Sequence, residues 1–323
     1  PEMLCSNVLA PVLELPDFQR RQVAIMVDEA HLMYVWGRSF RTQYTQIGFV
    51  RQRFSASAPL VAFTATLRRG RTPEQSPLDC VRRFLGFDEG SYHFIHRSCA
   101  RYEMQITVRP FSHGRQSEAY PELDWLLGLP GKTLVFCSSI KWGAKIALYL
   151  LSKSPGASLK RRPRTYSRLQ TDEHNNETLE LLLSPSKMLV IATDTLAVGI
   201  DIPDILTVII IEPEDLDDAI QKGGRSGRDA SLVPHPRAVI YLPSRVYNDP
   251  QSVLDNAEAT ASQGSKRIDT SLAELALASC KLRSIDEQYG NDPDEPPCSC
   301  TRCTLHPRAL FPSNCDCSGC QPE

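Results

Sequence analysis

Two adjacent carboxylates, Asp28 and Glu29, follow a short apolar run and precede His31. In nucleotide hydrolysis, one carboxylate of such a pair holds Mg²⁺, often through water, and the second polarises the attacking water. Acids are also common where a helix or loop follows a buried strand, which is the structural alternative. The pair predicts an ATP and Mg²⁺ site only when other motifs accompany it.

Two apolar runs must position these groups. Residues 23–27 are short, continuous and mostly β-branched, which is typical of a central parallel strand covered on both faces. Ligands of parallel sheets gather at the carboxyl ends of the strands, where Asp28 and Glu29 fall. A second predicted strand at 60–63 ends in Thr64-Ala65-Thr66, and these hydroxyls either connect the nucleotide site to a nucleic-acid site or cap the next turn.

The loop after His31 is rich in aromatic and basic side chains, including Trp36, Arg38, Phe40 and Arg41. Aromatic rings stack on bases and arginines pair with phosphates, so this loop is a candidate for binding single-stranded nucleic acid. The alternative is that the two aromatic rings anchor the loop in the core.

The second half of the chain shows an α/β alternation. We predict helices at 121–129, 141–151 and 172–183, strands at 133–137, 188–192 and 206–211, and a helix from Asp215. Gly131-Lys132-Thr133 resembles the end of a phosphate-binding loop. It precedes a strand instead of opening a helix, and Leu126 stands where the first glycine is required, so we reject it as a P-loop.

Two polar segments follow the later strands. Thr193, Gly199 and Asp201 come after the strand at 188–192. Gln221, Arg225 and Arg228 lie in a glycine-rich segment, and two arginines three apart can reach a phosphoryl group across a cleft. The alternative for the second segment is a helix end with solvated arginines.

The composition is that of a globular protein. The 323 residues are 41% hydrophobic and 23% charged, enough for two domains with cores and an appendage. The formal net charge of -2 implies that any nucleic-acid surface is a local patch. Without an apolar run of transmembrane length or a secretory signal, we expect a soluble intracellular protein without structural disulfides or membrane association. The chain opens on Pro1, so we expect it to be a fragment.

The order of these motifs resembles motifs II, III, V and VI of superfamily 2 helicases: the acidic box, Thr-Ala-Thr, the Gly-Ile-Asp turn and the arginine box. Trp36-Gly37 and Phe40-Arg41 resemble the aromatic-rich loop of RecQ helicases. The segment from Cys280 to Gly290 is similar to the helix that opens the RecQ zinc-binding subdomain. This resemblance covers nearly the whole chain.

The RecQ resemblance implies an ATP-dependent 3′ to 5′ DNA helicase with single-stranded and duplex DNA as partners, acting in recombination and repair in the nucleus. It implies three groups of roles, which are these: Asp28, Glu29, His31, Gln221, Arg225 and Arg228 at ATP; Thr64, Thr66, Thr193, Gly199 and Asp201 in coupling; Trp36, Arg38, Phe40 and Arg41 at DNA.

The implied fold is α/β with two RecA-like parallel-sheet lobes and a C-terminal helical zinc-binding subdomain. We expect a truncated first lobe at 1–97, a second lobe at 98–245 and a helical, cysteine-rich region at 246–323. The family's motif I, the P-loop, is absent from this sequence, so we expect this chain alone to be inactive. Two alternatives stay open: a non-catalytic nucleic-acid-binding remnant and a DEAD-box-like RNA helicase. Thr193-Asp194 is similar to the DEAD-box version of motif V.

Six of the 11 cysteines lie in the last stretch of the chain. Cys298, Cys300 and Cys303, with Cys280 upstream, supply four thiolates, the ligand set of a closed structural Zn²⁺ site. A possible second site consists of His306, Cys315, Cys317 and Cys320. The alternative for this second group is a flexible tail whose thiols bind metal opportunistically.

Overall fold

The computed structural model describes residues 2–5, 8–35, 48, 51–55, 57–70, 76–156, 162–185, 187–193, 196, 201–262, 269–292, 295–296, 298–305 and 307–322. The chain divides into two compact units, one of residues 1–99 with 288–292 and one of residues 100–287 with 293–323. The three-part division expected from the sequence stays a prediction. In the described part of the chain, no helix is both long and apolar enough to cross a membrane.

The first unit contains two parallel strands, β1 (Ile25–Val27) and β2 (Leu60–Ala62). Its helices are α1 (Glu2–Cys5), α2 (Ala10–Leu13), α3 (Pro16–Arg20), α4 (Leu32–Val35) and α5 (Pro77–Leu85), with a 3₁₀ turn at Arg51–Arg53. Helix α5 begins where the Ser76 hydroxyl accepts a hydrogen bond from Asp79 N–H, and it ends at Gly86 in the left-handed conformation. Its apolar face packs on Val27 and Met33.

The parallel pairing of β1 agrees with the expectation from the sequence, but coverage of both faces does not. Val27 is buried, whereas Met26 is 70% exposed and Val23 is 84% exposed. Among the described residues, β1 pairs only with β2, and the apolar cluster lies on one side of the pair. An apolar run shows that a strand can be buried on both faces, but the neighbouring elements decide whether it is.

The second unit is built on a six-stranded sheet in which every neighbouring pair is parallel. Its strands are β3 (Gln105–Phe111), β4 (Lys132–Cys137), β5 (Arg164–Tyr166), β6 (Met188–Ala192), β7 (Ile205–Ile211) and β8 (Arg237–Pro243), in the order β3-β8-β7-β4-β6-β5. Every residue of β4 and β6 is buried, as expected for central strands that read as continuous apolar runs.

Helices connect these strands and follow the sheet. They are α6 (Ile140–Ser152), α7 (Asp172–Leu183), α8 (Leu216–Gly223), α9 (Ser244–Asn248), α10 (Pro250–Ser262), α11 (Ser271–Leu277), α12 (Lys281–Tyr289) and α13 (Thr301–Leu305). The α/β class with a parallel sheet is confirmed. The helix expected at 121–129 is instead a 3₁₀ helix, Pro121–Gly128, whose leucines still reach the core.

Aromatic side chains fill the core on one face of this sheet. The Phe111 ring lies 5.6 Å from Trp142 and 5.4 Å from Tyr241, edge to face in both cases. The Tyr241 hydroxyl accepts a hydrogen bond from Trp125 Nε1 and donates one to the Glu122 carbonyl. This network attaches the 3₁₀ helix to β8, so the sheet that carries the polar segments has a rigid support.

Candidate functional site

The acidic pair lies directly after β1. Glu29 N–H donates to Asp28 Oδ1 at 2.9 Å, and the Asp28 side chain is exposed. Glu29 adopts φ of 50°, a left-handed conformation that is uncommon for a residue other than glycine. Because such strained positions concentrate at functional sites, the turn is consistent with a site at the carboxyl end of β1.

His31 connects this turn to the segment after β2. It is 3% exposed, and its Nδ1 lies 2.8 Å from Thr64 Oγ1 and 3.4 Å from Glu29 Oε2. Thr64 Oγ1 donates its only hydrogen to the Thr66 carbonyl at 2.8 Å, so it must accept from His31. His31 Nδ1 therefore carries a proton, and this one nitrogen lies beside both a Glu29 carboxylate oxygen and the Thr-Ala-Thr segment.

The arginine box forms a tight loop after α8 in the second unit. Gly227 has φ of 57° and donates its N–H to the Ile205 carbonyl, while Ser226 Oγ donates to the same carbonyl. A Cβ on Gly227 would lie 2.5 Å from Pro236 Cβ, so only glycine fits. Arg101 Nη2 donates to the carbonyls of Ser226 and Gly227. Sequence reasoning missed Arg101, because nothing in its local sequence marks it.

The predicted residues of the two later motifs lie at opposite ends of the strands of the sheet. Arg228 Nη1 donates to Asp201 Oδ1 at 2.7 Å, on the exposed surface before β7. Gln221 and Arg225 are partly buried at the end of α8. Thr193 follows the carboxyl end of β6, whereas Asp201 precedes the amino end of β7. The structure therefore brings together Arg228 and Asp201 but not Thr193.

Several predicted residues lie outside the described part of the chain. These are Trp36, Arg38, Phe40 and Arg41 of the aromatic-rich loop, Gly199 of the Gly-Ile-Asp turn and His306 of the cysteine tail. The roles expected for them stay predictions. The acidic pair belongs to the first unit and the arginine box to the second.

The cysteines group differently from the sequence-based expectation. Cys280 lies with Cys315, Cys317 and Cys320, and the ligand atoms of all four are within 4.8 Å of one another. Cys298, Cys300 and Cys303 form a separate group with the same limit on their distances. Spacing along the chain placed Cys280 with the nearer group, whereas the folded tail brings the farther group to it.

Backbone pairing with the edge strand places the tail. Ser318 N–H donates to the Ile106 carbonyl, and Ser318 Oγ accepts from Val108 N–H at 2.9 Å, both on β3. The tail thereby brings Cys315 Sγ to 3.8 Å from Cys280 Sγ. A Cβ on Gly319 would lie 2.5 Å from the Ser279 carbonyl oxygen, so glycine permits the close approach at this turn.

The four-cysteine group suits a cation. Burial alone would raise the pKa of Cys317, but N–H donors from Lys281, Cys320 and Gly319 outweigh it and lower the pKa to about 6. Burial is the main cause that raises the pKa of Cys315 far above its usual value, and a hydrogen bond with Cys280 raises the pKa of Cys320 to about 11. One thiolate is stabilised while its neighbours resist ionisation, which is the expected state of four clustered thiols without a counter-ion. This donor set fits Zn²⁺.

Comparison with known proteins supplies the family context. Residues 119–230 match the model of the helicase conserved C-terminal domain. The ATP-dependent DNA helicase RecQ of Pasteurella multocida is 24% identical over 294 residues, which cover 88% of this chain and 42% of that protein. The chain carries a helicase conserved C-terminal domain and is RecQ-like. The resemblance recognised in the sequence is confirmed.

Another curated relative and a solved structure also resemble this chain. The putative ATP-dependent DNA helicase Q1 of Caenorhabditis briggsae is 25% identical over 240 residues, covering 73% of this chain and 36% of that protein. The structure of the Mycobacterium smegmatis helicase Lhr bound to ssDNA and AMP-PNP aligns with a TM-score of 0.51 at 16% identity, covering 91% of this chain and 39% of Lhr. At that identity the likeness establishes the fold alone. The chain spans about two fifths of the length of the curated relatives that it matches.

Proposed function

We propose that this chain is part of an ATP-dependent 3′ to 5′ DNA helicase of RecQ type that acts on single-stranded and duplex DNA. The observation that carries the proposal is the position of His31 Nδ1, which lies 2.8 Å from Thr64 Oγ1 and 3.4 Å from Glu29 Oε2, at the carboxyl ends of two parallel strands. The relatives named as ATP-dependent DNA helicases support the same assignment. The RecQ resemblance extends the proposal to recombination and repair in the nucleus.

The first unit would supply the acid groups of the reaction. Asp28 is exposed and acceptor-only, so it would hold Mg²⁺, and Glu29 would polarise the attacking water. His31, protonated at Nδ1, presents this one N–H to the Thr64 hydroxyl, and the Glu29 carboxylate lies beside the same nitrogen. A change in the Glu29 position on hydrolysis would thereby reach the Thr-Ala-Thr segment, as a residue that couples ATP to DNA requires.

The second unit would supply the cations. Arg225 and Arg228 lie three residues apart in a loop held by backbone hydrogen bonds to β7 and by Arg101. Guanidinium groups stabilise the charge that develops on a transferred phosphoryl group. Arg228 already pairs with the carboxylate of Asp201, so its reach toward phosphate would require exchange of that exposed partner.

A zinc ion would have a structural part in this proposal. Cys280, Cys315, Cys317 and Cys320 would hold it, and its charge would neutralise the clustered thiolates. Around the group, Lys281 donates its backbone N–H to Cys317 Sγ at 3.3 Å, and its ammonium donates to the carbonyls of Ala276 and Ala278. These bonds connect the end of α11 to the start of α12.

The proposal is tested with Thr64→Val in the natural gene product. The variant removes the acceptor of His31, and losing a hydrogen bond worth about 1 kcal/mol reduces a rate roughly fivefold. We expect DNA-stimulated ATP hydrolysis and unwinding to fall by about that factor, with basal hydrolysis unchanged. Thr64→Ser keeps the hydroxyl and is the matched control.

Three outcomes separate the alternatives. DNA-stimulated activity in Thr64→Val equal to that of Thr64→Ser would overturn the coupling role. Unwinding of RNA duplexes in preference to DNA would support the DEAD-box-like alternative. For the chain as given, we expect salt-dependent binding to single-stranded DNA with little or no ATP hydrolysis, because its sequence contains no G-x-x-x-x-G-K-[ST] loop. DNA binding by the natural product without ATP hydrolysis would support the non-catalytic remnant.

A further inference from the structure

The backbone of the arginine box contacts an arginine from outside the box. Arg101 lies before β3, and its Nη2 donates to the Ser226 carbonyl at 3.2 Å and to the Gly227 carbonyl at 2.7 Å. Both acceptor residues are buried. They lie between the two arginines of the box, Arg225 and Arg228. The Arg101 guanidinium therefore holds the backbone that joins these two arginines.

Neighbouring contacts fix Arg101 in its turn. Its carbonyl accepts a hydrogen bond from Met104 N–H at 3.0 Å, and its Nε donates to Glu103 Oε1. The next residue, Tyr102, donates its hydroxyl to Asp286 Oδ2 of α12 at 2.9 Å. A planar guanidinium that gives one donor to a carboxylate directs its other donors in a set direction. The turn before β3 therefore presents this guanidinium to the loop in a defined orientation.

The contacts of Arg101 are those of a support and not of a phosphate ligand. Its Nε and Nη2 face a carboxylate and two backbone carbonyls, and its side chain is 28% exposed. Arg228, in contrast, is exposed, and its partner Asp201 is 80% exposed. Loss of Arg101 would take a charged donor from two buried carbonyls and leave both arginines of the box chemically intact. The position of the box and its chemistry can therefore be separated by experiment.

We propose that Arg101 is a positioning residue for phosphoryl transfer, which sets the place from which Arg225 and Arg228 reach the transferred phosphoryl group. The inference rests on the proposed function, because these arginines act on a phosphoryl group only if the protein hydrolyses ATP. A misplacement of about 1 Å can cost roughly 100-fold in rate. Since the arginines stabilise charge that develops in the transition state, loss of their support should lower kcat more than it weakens ATP binding.

Hydrogen exchange on the chain as given tests the support without ATP. Gly227 N–H donates to the Ile205 carbonyl at 2.8 Å, and Asp229 N–H donates to the Pro203 carbonyl at 3.1 Å. In Arg101→Met, we expect these two amides to exchange about tenfold faster, while the amides of β6 keep their rates, because removing a charged donor loosens the loop locally. Unchanged exchange, or an equal acceleration in β6, would overturn a local support by Arg101.

Arg164→Met is the matched control for this experiment. Arg164 lies on β5, at the other end of the strand order from β3, and its Nη2 donates to Glu177 Oε2 of α7 at 2.7 Å. Its side chain is 13% exposed, so the control also removes a largely buried guanidinium from a carboxylate. We expect Arg164→Met to leave the exchange of Gly227 and Asp229 unchanged.

Kinetics of the natural gene product test the positioning role itself. In Arg101→Met, we expect kcat of DNA-stimulated ATP hydrolysis to fall about tenfold and KM for ATP to change less than about twofold. Arg101→Lys keeps a cation beside Glu103 and should recover part of kcat; it also serves if Arg101→Met folds poorly by circular dichroism. Arg164→Met should retain the wild-type kcat.

The outcomes separate this inference from the proposed function. If the wild-type product hydrolyses ATP and Arg101→Met has the same kcat, the positioning role is overturned and the helicase proposal stands. A higher KM at an unchanged kcat would also overturn it, because Arg101 would then support ATP binding and not phosphoryl transfer. If the wild-type product does not hydrolyse ATP, the proposed function fails and the positioning role fails with it, whereas the exchange result still decides whether Arg101 holds the loop.

Discussion

The Gly-Lys-Thr triplet gives the most decisive test of the sequence reasoning. Lys132 opens β4, its side chain is 3% exposed, and its Nζ lies 2.6 and 2.7 Å from the two carboxylate oxygens of Asp204. Lys132→Met retains much of the side-chain volume but leaves Asp204 without this partner. Removing one partner of a buried ion pair costs about 3–5 kcal/mol. Because Asp204 is 30% exposed and water replaces part of the interaction, we expect about 2–3 kcal/mol of destabilisation.

Urea unfolding measures this loss. Trp142 lies in the core of the second unit and Trp125 packs against that core, so their fluorescence reports on this unit in a Trp36→Phe background. Lys153→Met is the matched control: Lys153 pairs with Asp124 at 3.6 Å, and these side chains are 48% and 43% exposed. An exposed pair of this kind is worth less than about 1 kcal/mol.

Binding of a fluorescent ATP analogue decides between the two interpretations of Lys132. If the lysine is structural, Lys132→Met lowers the urea midpoint, and any nucleotide affinity of the folded protein is unchanged. A variant that unfolds like the wild type and has lost nucleotide binding would refute our argument. The lysine would then act as a phosphate ligand despite preceding a strand.

Three further substitutions test individual features. Burial raises the pKa of Glu212, and the charge of Arg115 opposes this shift. The stability that the protonated carboxyl contributes is therefore present below its unfolded pKa and is lost as pH rises through the folded pKa. Glu212→Gln should stabilise the protein to urea at pH 7 and leave its stability unchanged near pH 4. Gly227→Ala should destabilise the second unit by about 1–3 kcal/mol in the same assay, because φ is positive and Pro236 blocks the Cβ. Gly319→Ala should speed zinc release to a chelator, because the added Cβ would meet the Ser279 carbonyl. Gly156→Ala is the control for both glycine variants. The space around a Cβ at Gly156 is open, so this variant should behave like the wild type.

Elements whose stability is local were predictable from the sequence. Strand β6 and helix α7 have the expected bounds, 188–192 and 172–183. A buried parallel strand is a continuous apolar run, and α7 is preceded by Thr171, whose hydroxyl accepts a hydrogen bond from His174 N–H. In both cases, the signal and the structure lie within the same few residues.

Features that depend on distant partners were not predictable. More residues separate Cys280 from the cysteines that it lies beside than from the group of three that is nearer in sequence. Spacing along the chain alone therefore favoured the wrong set. Similarly, the exposure of Met26 follows from the absence of a second described neighbour for β1, which no property of the run itself records. The proton on His31 Nδ1 was also beyond the sequence, because it follows from the direction of the Thr64 hydrogen bond.

The placement of the cysteine tail also explains how the sheet ends. Among the strands that the structure describes, β3 has only β8 as a neighbour, and an exposed sheet edge presents unpaired backbone groups to other chains. Here the tail covers that edge: Ser318 uses the Ile106 carbonyl and the Val108 N–H, and the Asp316 carbonyl accepts from the Gln105 side chain. A metal ion held by Cys280 and the tail would stabilise this cover, in addition to the contacts of the Phe311 ring with Tyr102 and Arg283. Under the proposed zinc site, loss of the ion would therefore loosen the cover of β3 as well as the cysteine group.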